Sequence, residues 1–231
     1  GLIERTLHAE QVAHSSPNGD EPPDKEFIVC ALDLISGMTE GMGEGISPLI
    51  QQTSPRLQTC LLACMRDMLP DVRQSAYALV GDLAKACVDN LRPVLPDYLP
   101  LMTSQLNPEY VSVCNNASWA IGEIAIKVCA AHLSLHTLSL PSPSSRSLSP
   151  CHLPLPQVGQ DMRPYVEGVM EKLVPIINRH ETINKSLVEN TAITLGRLGL
   201  VTPDITAQVL ASFVHPWCIA LRTIRDDIEK E

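Results

Sequence analysis

The feature that most constrains the fold of this chain is a short motif that recurs along it. Stretches beginning at Ser75, Asn116 and Asn190 each place a small polar residue six positions before a glycine. The first two of these glycines, Gly81 and Gly122, are 41 residues apart. A period of about 40 residues is typical of stacked helix pairs, because one pair alone cannot bury its apolar stripe.

The composition supports a stack of helices. Hydrophobic residues make up 45% of the chain but aromatic residues only 3%, so aliphatic side chains supply nearly all the apolar surface. That balance suits helices packed on helices better than a β-sandwich or barrel. We therefore predict an all-α fold, an α-solenoid of about five HEAT-type two-helix repeats stacked as a right-handed superhelix.

Apolar periodicity and helix-breaking residues set the expected helix bounds. Pro70, Pro108 and Pro203 stand at or just before helix starts, where the missing N–H does least harm. A polar loop is expected at 14–25. The helices are predicted at 2–11, 27–41, 46–52, 55–67, 71–90, 91–106, 108–127, 163–179, 184–200 and 203–231, the last broken near Pro216.

The third copy of the motif arrives late, since Gly196 follows Gly122 by 74 residues. The surplus lies in a tract of Leu, Ser and Pro from Val128 to Gln157, which we interpret as a disordered insertion and, as a hypothesis, a retained intron. Sequencing the transcript across this tract tests the intron. The predicted organisation is a short helix and polar linker at 1–26, repeats at 27–127, the insertion at 128–158 and repeats at 159–231.

Charge and cysteine usage narrow the class of partner. A net charge of −9 and a pI of about 5.2 disfavour nucleic acid and favour a basic protein or peptide. Eight scattered cysteines without a CxxC pair are typical of reduced thiols in an intracellular protein. No apolar run approaches the roughly 18 residues of a membrane span, so no membrane partner is expected. Because the chain opens without Met, we expect a fragment.

The sequence contains few residue patterns that are typical of catalysis or metal binding. No Gly-rich phosphate loop, HExxH motif or nucleophile elbow occurs, so we do not expect an enzyme. The inserted tract holds one pattern that could surround zinc, but its loose spacing in a low-complexity segment is weak evidence. We therefore expect no metal and no cofactor. The residues of that pattern are Cys129, His132, His136, Cys151 and His152.

The motif lies on the second helix of each two-helix repeat, and these second helices line the concave face of such a solenoid. Trp119 has two interpretations here, a half-buried residue at a seam between repeats or an exposed anchor for an extended ligand. Asn116 and Asn190 could equally bond a ligand backbone or a neighbouring helix. We predict an apolar floor ringed by carboxylates, formed by Asp33, Glu40, Asp82, Trp119, Glu123 and Ile193.

Five stretches of the sequence, given at the end of this paragraph, share one resemblance. Together they resemble consecutive helices of the transportin (karyopherin-β2) family of nuclear import receptors, within the importin-β superfamily. The resemblance covers nearly everything outside 14–25 and 128–157. The stretches are Phe27-Ile-Val-Cys-Ala-Leu-Asp-Leu-Ile-Ser-Gly, Pro70-Asp-Val-Arg-Gln-Ser-Ala-Tyr-Ala-Leu-Val-Gly-Asp-Leu, Val113-Cys-Asn-Asn-Ala-Ser-Trp-Ala-Ile-Gly-Glu-Ile, Leu187-Val-Glu-Asn-Thr-Ala-Ile-Thr-Leu-Gly-Arg-Leu and Pro216-Trp-Cys.

The resemblance implies a receptor that binds extended, basic localisation signals of the proline-tyrosine class in RNA-binding proteins. Release of cargo on binding of the GTPase Ran, contact with nucleoporins, and shuttling between cytoplasm and nucleus are implied with it. The proline-tyrosine pocket and the main Ran-binding repeats of the family lie upstream of the matched section. The implied signal contacts are Val29, Asp33, Glu40, Asp82, Asn116, Trp119, Asn190 and Ile193.

Two other functions stay open from the sequence. The chain could be a structural HEAT scaffold, such as a phosphatase or adaptor subunit, with Trp119 packed and the acidic residues solvated. It could also be an enzyme that uses the Cys/His tract and zinc. An import receptor differs from both in leaving Trp119 accessible to a basic peptide, with ion pairs to Asp33, Glu40 and Asp82 that weaken with salt.

Overall fold

The computed structural model describes residues 1–15, 23–54, 56–137 and 162–228, with the side chains of all of these except 13–15, 129–137 and 223–228. These residues form α-helices joined by turns, and no helix among them is both long and apolar enough to cross a membrane. The helices are α1 (Leu2–Ser15), α2 (Glu26–Met42), α3 (Ser47–Thr53), α4 (Arg56–Met65), α5 (Pro70–Cys87), α6 (Leu95–Ser104), α7 (Val111–Thr137), α8 (Arg163–Ile177), α9 (Lys185–Val201), α10 (Pro203–Val209) and α11 (Val214–Ile228).

The helices stack in two layers. In the second-helix layer α2, α5, α7, α9 and α11 pack side by side in that order, while α4, α6, α8 and α10 pack in order in the first-helix layer. Each second helix also packs on the helix or turn before it. The predicted all-α stack of two-helix repeats is confirmed, with five pairs in the described part of the chain. The right-handed sense of the superhelix stays a prediction.

Helix α5 shows how these sequences specify their elements. Pro70 is its first residue, while Asp71 and Lys85 place charges of the favoured sign in its first and last turns. Its apolar residues recur every three or four positions and are buried between α2, α4 and α7. The hydroxyl of Tyr77 donates to the carbonyl of Met65 at 3.1 Å, which fixes α5 against α4. Each fully buried aliphatic side chain contributes about 1.5–3 kcal/mol to such packing.

A partly buried cluster of charges joins the first two repeats. The Nζ atom of Lys25, just before α2, lies 2.6 Å from Oε1 of Glu10 and 2.7 Å from Oδ2 of Asp67. Burial opposes the charge of Lys25, but hydrogen bonds to Asp67 and Glu10 outweigh burial and raise its pKa. The turn before α2 is thereby held to α1 and to the end of α4.

Several helix bounds differ from the prediction; α1 reaches Ser15 instead of ending at residue 11, so the loop predicted from residue 14 starts later, and α6 begins only at Leu95. Helix α7 continues to Thr137 instead of ending at Lys127, and Val128 is fully buried, because the apolar periodicity runs on into the Leu/Ser/Pro tract. The insertion beyond Thr137 lies outside the described residues and its disorder stays a prediction; the side chains of the Cys/His pattern also lie outside the described part of the chain. The break predicted near Pro216 is present: the 3-10 turn Leu210–Ser212 separates α10 from α11, and Pro216 lies in the first turn of α11.

The cysteines with described side chains are free thiols. Burial raises the pKa of the Cys64 and Cys114 thiols to about 12, so both stay protonated and behave as small apolar residues. These two cysteines therefore contribute to the core and offer no reactive thiolate.

Candidate peptide-binding face

The nine predicted site residues all lie on second helices. The packing of α2, α5, α7 and α9 in one layer brings them onto adjacent helices, although their exposure and partners differ strongly. They are Val29, Asp33 and Glu40 on α2, Asp82 on α5, Asn116, Trp119 and Glu123 on α7, and Asn190 and Ile193 on α9.

The carboxylates of the upstream half differ in burial. Asp33 and Glu40 are exposed on α2, whereas Asp82 is only 6% exposed and accepts a hydrogen bond from the hydroxyl of Ser36. Burial raises the pKa of Asp82, the bond from Ser36 opposes that change, and the negative charge of Glu40 adds to it. This part of the face therefore concentrates negative charge around a carboxylate that is costly to ionise.

Trp119 lies half-buried at the seam between α5 and α7. The six-membered part of its indole rests on Gly81, where an added Cβ would lie 2.8 Å from Cη2 and still closer to Cζ3. Gly81 is thus required by the close approach of the ring. Among the described residues none accepts a hydrogen bond from Nε1 of Trp119, and that atom is not fully buried. The seam position leaves part of the indole, including a donor, available to a ligand.

The two asparagines form hydrogen bonds between helices. Nδ2 of Asn116 donates to the carbonyl of Gln74 on α5 at 3.1 Å. Nδ2 of Asn190 donates to Oδ1 of Asn115 on α7 at 2.9 Å. Both asparagines are half-buried, so these amides tie neighbouring repeats together and keep an exposed portion at the face.

Glu123 has a partner that the sequence did not reveal. Nη1 of Arg197 on α9 lies 2.7 Å from its Oε1, and the side chains are 25% and 9% exposed, respectively. The aliphatic part of Arg197 and the hydroxyl of Thr194 also pack over Gly122. A signal was present in the motif, since Arg197 follows its glycine where the earlier copies have Asp82 and Glu123. The charge of Glu123 is therefore largely balanced within the layer.

Trp217 is a second indole in the layer, and it was not among the predicted site residues. Its Nε1 donates to the carbonyl of Ala192 on α9 at 2.8 Å, and the ring lies over Gly196. The side chain is half-buried. The signal was its rarity, since Trp119 is the one other tryptophan in the chain.

The face therefore changes character along the stack. The exposed carboxylates Asp33 and Glu40 and the buried Asp82 lie on α2 and α5, whereas half-buried Trp119, Ile193 and Trp217 lie on α7, α9 and α11. An extended segment that crosses the helices would meet an acidic region first and an apolar region next. Such an arrangement fits basic residues at one end of a ligand and apolar residues at the other.

A separate apolar groove of about 560 Å³ lies among α1, α2, α3 and α4. None of the nine predicted residues lines it. Its walls include Ile3, Leu34, Ile35, Leu57 and Cys60.

Comparison with known proteins identifies relatives over the whole chain, although no family model matches it. The chain is 42% identical over 230 residues to Transportin-1 of Homo sapiens, covering all of this chain and 22% of that protein. It is 47% identical over 212 residues to Transportin-1 of Oryza sativa subsp. japonica, covering 90% of this chain and 20% of that protein. It is also 35% identical over 234 residues to Importin subunit beta-2 of Schizosaccharomyces pombe, with 22% of that protein covered. The chain thus spans about a fifth of the length of these relatives.

Proposed function

We propose that this chain, which is homologous to one section of the transportins in the importin-β family, binds basic nuclear localisation signals of cargo proteins on its second-helix layer. The observation that supports this most directly is the combination of exposed Asp33 and Glu40 with a half-buried Trp119 whose Nε1 has no acceptor among the described residues. Charge attraction and an aromatic contact surface are what a basic, partly apolar peptide requires.

In the proposed mechanism no bond is made or broken. A disordered basic segment lies across the second helices, its Arg or Lys side chains pair with Asp33, Glu40 and Asp82, and an apolar side chain contacts Trp119 and Ile193. Pairing also relieves the cost of ionising buried Asp82, since a nearby cation favours the charged carboxylate. Exposed pairs of this kind speed association and reject acidic peptides more than they add affinity.

The finer parts of the proposal concern the whole receptor. The signals are of the proline-tyrosine class and belong to RNA-binding proteins, with the dipeptide itself bound outside this section. Ran acts mainly through upstream repeats, nucleoporins are contacted during passage, and the protein shuttles between cytoplasm and nucleus without enzymatic activity. The resemblance of the sequence to its relatives supports these proposals.

A structural scaffold is the second candidate, and specific contacts favour it. Asn116, Asn190 and Glu123 each bond a neighbouring second helix, which is what residues that only stiffen a stack would do. On that view the exposed carboxylates of α2 are merely solvated and no peptide binds.

The deciding experiment is a titration of the intact chain with a basic localisation-signal peptide, followed by tryptophan fluorescence at low and moderate salt. We expect a saturable change that weakens with added salt, because the charges involved are exposed. Asp33→Lys should reduce affinity, since it reverses an exposed charge at mid-helix. A peptide without its proline-tyrosine dipeptide should bind this section equally well.

The matched control is Glu171→Lys, which reverses an equally exposed carboxylate in the middle of α8, on the first-helix layer. It should leave binding unchanged. Equal losses from Asp33→Lys and Glu171→Lys would show a non-specific charge effect. No fluorescence change in a folded chain would favour the scaffold.

A further inference from the structure

The two tryptophans lie at the same level of the stack, as the contacts between α7 and α9 show. Asn190 bonds Asn115, Thr194 bonds the carbonyl of Ser118, and Arg197 pairs with Glu123. These contacts join positions 75, 76 and 74 residues apart, so one register holds along the seam. The segment 192–196 of α9 therefore lies beside 117–121 of α7.

That register places both indoles on one line across the helices. Trp119 lies within the segment 117–121, and Trp217 contacts Ala192 and Gly196 at the two ends of the facing segment 192–196. Between them on α9 is Ile193, also half-buried. A segment that crosses the layer at this level would pass Trp119, then Ile193, then Trp217.

The two rings present different edges to solvent. Trp119 turns its Cε3, Cζ3 and Cη2 edge to Gly81, whereas Trp217 turns its Nε1 and Cζ2 edge to α9. Because the Nε1 donor of Trp217 is used within the fold, the indole offers a ligand chiefly its carbon surface. A carbon surface of that size suits an aliphatic or aromatic side chain.

We propose that Trp217 forms a second apolar contact point of the binding face, so that a bound segment carries two apolar side chains, one at Trp119 and one at Trp217. This inference rests on the proposed peptide binding and extends the site to α11. Basic residues of the ligand lie at its other end, over α2 and α5. At α7 and α9 the charge of Glu123 is already met by Arg197.

The separation of the two contact points sets the spacing of the ligand residues. Packed helices lie about 8–10 Å apart, so α7 and α11, two steps apart in the layer, are separated by roughly 16–20 Å. An extended peptide advances about 3.3 Å per residue and crosses that distance in about five or six residues. The ligand should therefore carry its apolar residues at about that spacing.

The test uses the intact chain with one tryptophan at a time, as Trp119→Phe and Trp217→Phe. Two basic peptides of identical composition are compared, one with its apolar residues about six positions apart and one with them adjacent. We expect the spaced peptide to shift the emission of each single-tryptophan variant at the same peptide concentration. The adjacent peptide should shift Trp119 alone. Trp217→Leu should weaken binding of the spaced peptide by roughly five- to tenfold and leave the adjacent peptide unaffected.

The outcomes separate this inference from the function on which it rests. If Trp119 responds while Trp217 stays silent and spacing has no effect, the second contact point is wrong and peptide binding stands. If neither tryptophan responds in chains that unfold cooperatively, both proposals fail. An equal loss for both peptides in Trp217→Leu would show a purely structural role for Trp217 and overturn the inference.

Discussion

Two seams of the second-helix layer fill the space over a motif glycine with different side chains. Between α5 and α7 the indole of Trp119 fills the space over Gly81, and a hydrogen bond from the side-chain amide of Asn116 joins the helices. Between α7 and α9 the corresponding space over Gly122 is filled by Thr194 and Arg197. Arg197 also pairs with Glu123 at 2.7 Å.

The difference shows what the repeated glycine specifies and what it leaves free. Gly81 and Gly122 permit close approach of the next second helix, because a Cβ at either position would collide with what lies over it. The residue that enters the space then decides whether the seam is aromatic or ionic. The seam between α5 and α7 consequently offers an aromatic contact surface to a ligand. At the seam between α7 and α9, the charge of Glu123 is balanced by Arg197 within the fold.

The largest effect that would test this contrast comes from Gly81→Ala. The new Cβ would overlap the ring of Trp119, so the indole must shift at a cost of about 1–3 kcal/mol in the free energy of unfolding. That cost exceeds the gain of up to about 1 kcal/mol that Ala brings to a helix interior. Urea unfolding measures the loss, and the emission of Trp119 should change with it.

The matched control is Gly196→Ala on α9. A Cβ there would lie 3.4 Å from Cζ2 of Trp217, an ordinary contact, so this variant should be neutral or stabilised. Equal responses of Gly81→Ala and Gly196→Ala would mean that the indole of Trp119 is not seated on Gly81 as described.

A double-mutant cycle on Glu123→Gln and Arg197→Met tests the ionic seam. Because both side chains are largely buried, we expect a coupling of about 1–2 kcal/mol in the free energy of unfolding. The same cycle on Lys185 and Glu189, a more exposed pair within α9, should give at most about 0.2–0.5 kcal/mol. Equal couplings would argue that the Glu123 pair is exposed in solution and that its carboxylate is open to a ligand.

The smallest expected effect concerns Asp82 in the acidic part of the face. Burial raises its folded pKa above the unfolded value, so its favourable contribution is complete below the unfolded pKa and is lost as pH rises through the folded pKa. At neutral pH, Asp82→Asn should therefore raise the stability by less than about 1 kcal/mol. The gain should vanish on acidification to about pH 3, below the ordinary aspartate pKa.

Asp33→Asn is the control for that experiment, since Asp33 is exposed on the preceding second helix. It should change the stability little at either pH. Urea unfolding at both pH values decides the matter. A gain from Asp82→Asn that persists in acid would mean that the cost of Asp82 does not come from its charge.

Much of the arrangement was predictable from local sequence. The motif repeat and the apolar stripes predicted helices in pairs, and they placed the nine candidate residues on second helices, where the structure has them. The end of α7 was misplaced, because Val128 and the residues after it continue the helical pattern into a tract that composition marked as irregular. Whether the nine residues bind a signal stays a prediction.

Sequence by itself determined the two-layer stack, because period and apolar spacing are properties of one repeat and its neighbours. Only the tertiary structure decided which polar groups remain for a ligand. Asn116 bonds the carbonyl of Gln74, 42 positions away, and Arg197 pairs with Glu123, 74 positions away. Local sequence patterns do not specify which residues meet across such separations. Because burial and ion pairing depend on the side chain that the next helix presents, Asp33 stays open while Glu123 is paired.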